Sequence, residues 1–171
     1  MKLVQKYFAP TILFICLTSI TNILAQVEKF NDPLLDKLSG NWKMKGVVRE
    51  DSVEYKTECK WTLNHQFFLL HMLDINNPPR FEAVVYIGFN NDKKNYVVHW
   101  LDQFGGSYSE TLGHGNSNGD SIKILFNYPY GYFRDTFTYL TDKEQWHFLL
   151  EDKNEDVEWQ KFAEYTLIKE K

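Results

Sequence analysis

Five histidines are the first candidates for metal binding or acid–base chemistry. They are His65, His71, His99, His114 and His147. Histidine titrates near neutral pH and is the commonest metal ligand in proteins. No two of the five are separated by a single residue, the spacing that would direct both rings to one face of a strand. The spacing therefore does not indicate a zinc site.

Nucleophilic chemistry has little support in the sequence. Of the two cysteines, Cys16 lies in an apolar N-terminal stretch and Cys59 lies on the apolar face of an alternating segment. A buried thiol in that position is usually inert, and we expect Cys59 to be free and buried. The serines lack the Gly-x-Ser-x-Gly context of a nucleophile. The sequence therefore argues against an acyl-transfer enzyme, and we assign no catalytic residue.

Asp102 and Arg134 form the most promising pair of charged residues. Asp102 shares one face of a predicted strand with Tyr96, Val98 and Trp100. If that face points inward, the carboxylate needs a partner, because an isolated buried charge is very costly. Arg134 could bind it bidentately. The pair would be either a salt bridge between two strands or a polar anchor for the head group of a ligand.

The first 25 residues predict a secretory signal peptide. Lys2 and Lys6 provide a positive start, residues 8–24 are apolar and uncharged, and Ala25 is a small residue before the cleavage point. An uncleaved membrane anchor is the alternative interpretation. Cleavage leaves residues 26–171 as one exported domain, with the choice between periplasm and medium left open.

The composition of residues 26–171 restricts the partners. The full chain has a net charge of −4, and loss of Lys2 and Lys6 with no acidic residue makes it about −6. No cluster of Lys or Arg remains, so we expect neither nucleic acid nor, after cleavage, a membrane as a partner. With one cysteine left, the domain must fold without an internal disulfide. The oligomeric state is left open.

The patterning predicts one short helix followed by about ten antiparallel strands. Asp32-Pro33 begins the helix and Gly40 ends it. The clearest strand is 53–63, whose odd positions are mostly apolar and whose even positions are polar. The strands are expected near 41–48, 53–63, 66–74, 80–89, 95–102, 107–114, 120–127, 132–141, 144–151 and 158–168. Such a meander favours a single closed all-β barrel, with a sandwich as the alternative.

The start of the first strand carries a resemblance to the lipocalin and calycin barrels. Gly40-Asn41-Trp42 resembles their Gly-x-Trp signature, in which the Trp packs across the closed end of the barrel. More of the chain resembles an uncharacterised bacterial family of lipocalin-like domains. The segments that carry this likeness are Tyr86-Ile87-Gly88-Phe89, Tyr96, His99-Trp100-Leu101-Asp102, residues 113–120, Arg134, and Trp159 with Tyr165. The resemblance implies a lipocalin-like barrel and leaves the function open.

A more distant resemblance is to the nitrobindin barrels, which bind ferric haem. Their first strand also opens with Gly-x-Trp, and a histidine late in the chain ligates the iron. His147 is the only late histidine here, so this resemblance implies His147 as the haem ligand. The residues themselves identify no cofactor.

The leading hypothesis is a non-enzymatic exported barrel that binds a small, largely apolar molecule in its lumen. The alternatives are a haem protein or barrel-interior enzyme that uses His99 or His147, and a structural barrel filled by its own side chains. We expect Trp100 to face inward, with Asp102 near the rim. The candidate ligand-binding residues are Trp42, Tyr96, Trp100, Asp102, Arg134, Phe137 and Trp146.

Overall fold

The computed structural model describes residues 29–154 and 158–170. The predicted signal peptide lies outside the described residues and stays a prediction. None of the described helices is long and apolar enough to cross a membrane.

The predicted N-terminal helix is confirmed as α1 (Pro33–Leu38). The Asp32 carboxylate accepts hydrogen bonds from the backbone N–H groups of Leu34 and Leu35, at 2.8 and 3.2 Å. Pro33 occupies the first turn, where its missing N–H costs nothing. This cap begins the helix at a defined residue, and the helix then buries Leu35 and Leu38 completely.

Ten strands follow the helix, as the alternating pattern predicts. Their bounds are β1 (Gly40–Val48), β2 (Asp51–Thr62), β3 (Phe67–Asp74), β4 (Glu82–Asn90), β5 (Asn95–Asp102), β6 (Leu112–Asn118), β7 (Ser121–Tyr128), β8 (Gly131–Leu140), β9 (Gln145–Lys153) and β10 (Gln160–Lys169). The predicted start of the sixth strand at residue 107 is wrong. Gly105 has a φ of 88°, which turns the chain into a short 3₁₀ helix (Gly106–Tyr108) before β6 begins.

The strands form a closed antiparallel barrel. Each strand pairs with the next along the chain, and β1 pairs with β10 to close the ring. A side chain at Gly46 would collide with the Glu164 carbonyl oxygen, so glycine permits the close approach of β1 and β10. Closure leaves no unpaired edge within the ring, and the alternative of a sandwich is excluded.

The register decides which side chains face the lumen. Trp100 pairs with the buried Val85, and Asp102 pairs with the buried Ala83. Paired residues point to the same face, so Trp100 and Asp102 face inward as predicted. Cys59 faces inward as well and is a free, buried thiol, which confirms that prediction.

The N-terminal segment closes the end of the barrel at which β1 begins. The Trp42 indole donates a 2.7 Å hydrogen bond to the Leu38 carbonyl, and the Trp61 indole donates one to the Asp36 carboxylate. The Phe30 ring stacks on Phe89 with ring centroids 5.3 Å apart. This lower end is therefore sealed by packed side chains, and a ligand could reach the lumen only from the opposite end.

Candidate functional site

The candidate site is the upper lumen, the inward-facing part of the barrel at the end opposite α1. Its walls come from the second half of β5 and β7 and from the first half of β2, β8 and β10. Its side chains combine aromatic rings with carboxyl and phenol groups. They are Tyr55, Trp100, Asp102, Phe126, Tyr128, Phe133, Asp135 and Tyr165.

Asp135 is the most unusual of these residues. Its register partners are Ile124 and Leu150, both buried apolar residues, and the residue is only 3 % exposed. In the parts of the chain that the structure describes, no donor forms a hydrogen bond or ion pair with its carboxyl group. Burial raises the pKa of Asp135 to about 8. At neutral pH the group is therefore mostly a neutral carboxylic acid without a partner.

Two tyrosines share the electrostatic environment of Asp135. Burial, followed by the charges of Asp135 and Asp102, raises the pKa of Tyr128 to about 12. Burial is also the main cause that raises the pKa of Tyr165, with further contributions from Tyr55 and Asp135. Both phenols therefore keep their protons at neutral pH and can donate or accept a hydrogen bond inside the lumen.

Asp102 lies nearer the mouth and has its own donors. The Trp100 indole donates a 3.1 Å hydrogen bond to one carboxylate oxygen, and the Phe104 backbone N–H donates a 2.9 Å bond to the other. Trp100 and Asp102 are half-buried, so solvent reaches part of both side chains. The arrangement fixes the indole of Trp100 along the wall of the upper lumen.

The predicted pairing of Asp102 with Arg134 is wrong. Arg134 points out of the barrel, where its Nε and Nη2 atoms lie 2.8 and 2.7 Å from Glu151 Oε2. Its guanidinium also lies 4.2 Å from the centre of the Trp159 ring. Alternation along β8 explains the error, because Asp135 takes the inward position and its neighbour must face outward. Arg134 is therefore not a ligand-binding residue of the lumen.

The other four predicted ligand-binding residues belong to the packed lower half. Phe137 stacks on Phe148 with a centroid distance of 3.8 Å. The Tyr96 hydroxyl donates to the Asp32 carboxylate, and the Trp146 indole donates to the Lys37 carbonyl at 3.4 Å. Trp42, described above, is buried in the same way. Trp42, Tyr96 and Trp146 bind the N-terminal segment, and Phe137 packs on β9. Only Trp100 and Asp102 of the predicted set lie in the upper lumen.

The histidines implicated in the alternatives do not face the lumen. His147 Nε2 lies 2.9 Å from Glu164 Oε1 on the outer face of the barrel. His99 Nε2 lies 2.7 Å from the Ser109 carbonyl oxygen. Among residues 29–154 and 158–170, no group of three His, Cys, Asp or Glu side chains could hold a metal ion. A haem in the lumen would therefore not find His147 as its ligand.

A groove on the outer surface of the barrel is a competing candidate site. It has a volume of about 550 Å³ and runs along β6, β7 and β8. His114, Lys123, Arg134 and Trp159 contribute to its walls. Arg134 already binds Glu151 and Trp159, so its charge is compensated within the protein.

This architecture defines a class of small all-β proteins: a ten-stranded antiparallel barrel with one end sealed by an N-terminal helix. Residues 31–169 match the model of DUF1579, whose description is a protein of unknown function, and the chain belongs to that family. A solved structure, the crystal structure of Rv2717c from M. tuberculosis, is similar in fold. It has a TM-score of 0.52 and 11 % sequence identity, and the match covers 83 % of this chain and all of that one. The curated proteins provide no match.

These comparisons establish the family and the fold. None of them names the lipocalins or calycins, so that relationship stays a resemblance. At 11 % identity the likeness to Rv2717c concerns the backbone alone. The function must therefore be argued from the side chains of the site.

Proposed function

We propose that the protein is a non-enzymatic barrel that binds a small, largely apolar molecule in the upper lumen. The observation that carries the proposal is the Asp135 carboxyl group, which is buried among apolar side chains without a partner. A buried polar group without a hydrogen bond costs on the order of 1–3 kcal/mol. A ligand that supplies the missing partner would remove this cost, which favours a binding role for the position.

The two halves of the lumen differ in packing and exposure, and this difference supports a binding site in the upper half. The lower half contains fully buried, closely stacked rings such as Phe137 and Phe148. At the mouth, Trp100, Tyr128 and Phe133 are only half-buried, so a molecule entering from solvent would meet aromatic surface first. Binding pockets commonly combine such apolar walls with a few polar groups.

The test uses two adjacent residues on opposite faces of β5. Trp100→Ala removes an indole from the upper lumen, whereas His99→Ala changes the outer face of the same strand. In a titration with Nile red, a neutral solvatochromic dye, we expect Trp100→Ala to weaken binding roughly tenfold, the equivalent of about 1.4 kcal/mol. His99→Ala should bind like the wild type. Equal binding by the wild type and Trp100→Ala, or loss of binding in His99→Ala alone, would contradict the proposed site.

We also propose that the domain acts outside the cytoplasm, after cleavage behind Ala25. The support is the order of the basic start, the apolar run and the small residue in the sequence. N-terminal sequencing of protein from the periplasm and the medium should give Gln26 as the first residue. A chain that retains Met1 in the membrane fraction would overturn this proposal.

A further inference from the structure

We propose that the ligand of the upper lumen carries a protonated amine, which binds at the carboxylate of Asp135. This inference rests on the proposed function and specifies the chemistry of the molecule. Three features of the described residues favour such a ligand: the charges that face the lumen, the aromatic walls around them and the lack of a partner for Asp135.

The charges on the inner face of the barrel are strongly one-sided. Asp74, Asp102, Asp135 and Asp152 all take inward register positions in the upper half. The only Lys or Arg at an inward position of the described strands is Lys169, which lies over Trp42 at the sealed lower end. Anionic ligands would be repelled by this lumen, whereas a cation would be attracted.

Three of these four carboxylates are engaged by the protein or lie at the mouth. Asp74 binds Arg80, with Nε and Oδ2 3.1 Å apart, and also accepts from the Asn76 backbone N–H at 2.8 Å. Asp102 accepts the two hydrogen bonds described above, and Asp152 is half-buried near the end of β9. Asp135 alone combines deep burial with the lack of a partner, so it is the position at which an ammonium group would gain most.

The aromatic walls suit the remainder of such a ligand. The rings of Phe126 and Tyr128 are stacked at a centroid distance of 6.0 Å, and Phe133 meets Tyr128 edge to face at 5.9 Å. Ring faces attract cations and also bury apolar groups. An amine attached to a small apolar body would use both properties.

Binding of an ammonium group should be linked to the titration of Asp135. The ion pair requires the carboxylate, yet burial raises the pKa of the free group to about 8. Tyr128 on β7 and Tyr165 on β10 interact electrostatically with Asp135; Tyr128 also interacts with Asp102 on β5, and Tyr165 with Tyr55 on β2. The raised pKa values of the two tyrosines keep them protonated below pH 8. Affinity for a permanent cation should therefore rise about tenfold for each pH unit below pH 8, because the competent fraction rises tenfold.

A neutral ligand that accepts a hydrogen bond would have the opposite pH dependence. It would bind the protonated acid and lose affinity as the pH rises through 8. The direction of the pH dependence thus distinguishes the two classes of ligand on the wild-type protein, without a variant that has to fold.

The experiment is isothermal titration calorimetry of the full domain with three matched probes at pH 6, 7 and 8. The probes are 2-phenylethylamine, 2-phenylethanol and 3-phenylpropanoate, which share a phenyl ring and differ in charge. We expect the amine to bind at least tenfold more tightly than the alcohol at pH 8, with a proton released to the buffer, and the carboxylate to bind most weakly. Asp135→Asn should remove the preference for the amine, whereas Glu151→Gln, which deletes a carboxylate on the outer face, should retain it.

Two kinds of result would overturn the proposal, and they can be distinguished from one another. Equal affinity for the amine and the alcohol, or affinity for the amine that does not rise with pH, would reject the cationic ligand while the lumen remains a binding site. Failure of all three probes and of Nile red to bind would reject the proposed function as well.

Discussion

Replacement of Asp135 by Asn should change how the stability of the barrel depends on pH. The folded state holds this carboxyl in an apolar environment that raises its pKa from 3.8 to about 8. The unfolded chain ionises it at its ordinary value, so between about pH 4 and 8 the folded state binds the extra proton. Stability therefore falls as the pH rises through this range, and asparagine, which does not titrate, abolishes that contribution.

The size of the effect follows from the shift in pKa. Within this window, each pH unit lowers the unfolding free energy of the wild type by about 1.4 kcal/mol. The total decrease reached at pH 7 therefore has an upper bound of about 4 kcal/mol. Between pH 4 and 7, the unfolding free energy of Asp135→Asn should therefore rise relative to that of the wild type by an amount of this order. Groups with a lowered pKa, such as Glu164 next to Lys161 and His147, make the opposite contribution to the pH dependence of stability. They are present in both proteins, so their contributions cancel in the difference.

Urea unfolding of both proteins at pH 4, 5, 6, 7 and 8, followed by tryptophan fluorescence, measures this difference. The expected result is a gap that widens steadily up to about pH 8 and then levels off. Stability curves that stay parallel across the range would refute the reasoning, since the folded and unfolded states would then bind the same number of protons at Asp135.

Three further predictions concern the packed part of the barrel. Cys59 should react with a thiol reagent only after denaturation, because burial raises its pKa and excludes the reagent; fast labelling of the native protein would contradict its inward position. Trp42→Phe should lower the unfolding free energy by about 1–3 kcal/mol in urea titrations, because the Leu38 carbonyl loses its donor. Phe137→Ala should cost about 3–5 kcal/mol, whereas Trp100→Ala, at a half-buried position, should cost clearly less in the same assay.

Most of the fold could be predicted from alternation and turn chemistry. The odd positions from Val53 to Trp61 all face inward, as the sequence pattern indicates. The start of β6 could not be predicted in the same way, because residues 107–111 have strand-like composition but follow a pair of glycines. The two glycines predict a turn, but they do not show that a 3₁₀ helix follows Gly105 and that strand pairing resumes only at Leu112.

The candidate site was only partly predictable. Trp100 and Asp102 were identified because large aromatic residues and an acid share one face of a strand. Asp135 was missed, although Phe133, Asp135 and Phe137 alternate in the same way and form a detectable signal. Arg134, predicted as the partner of Asp102 because of its charge, takes the outward position instead, because a shift of one residue in a strand reverses the face. A single charged residue therefore cannot be assigned to a lumen until the parity of its own strand is known.

The most direct test of a binding site in the upper lumen is a titration followed by NMR of the tryptophan indole ¹H–¹⁵N signals. The five tryptophans report on different places: Trp42, Trp61 and Trp146 at the sealed end, Trp100 in the upper lumen and Trp159 in the outer groove. With ¹⁵N-tryptophan-labelled protein and each of the three phenyl probes in turn, the signal of Trp100 should shift most for every probe that binds. A shift of Trp159 while Trp100 stays unchanged would contradict a site in the lumen and would place binding in the outer groove.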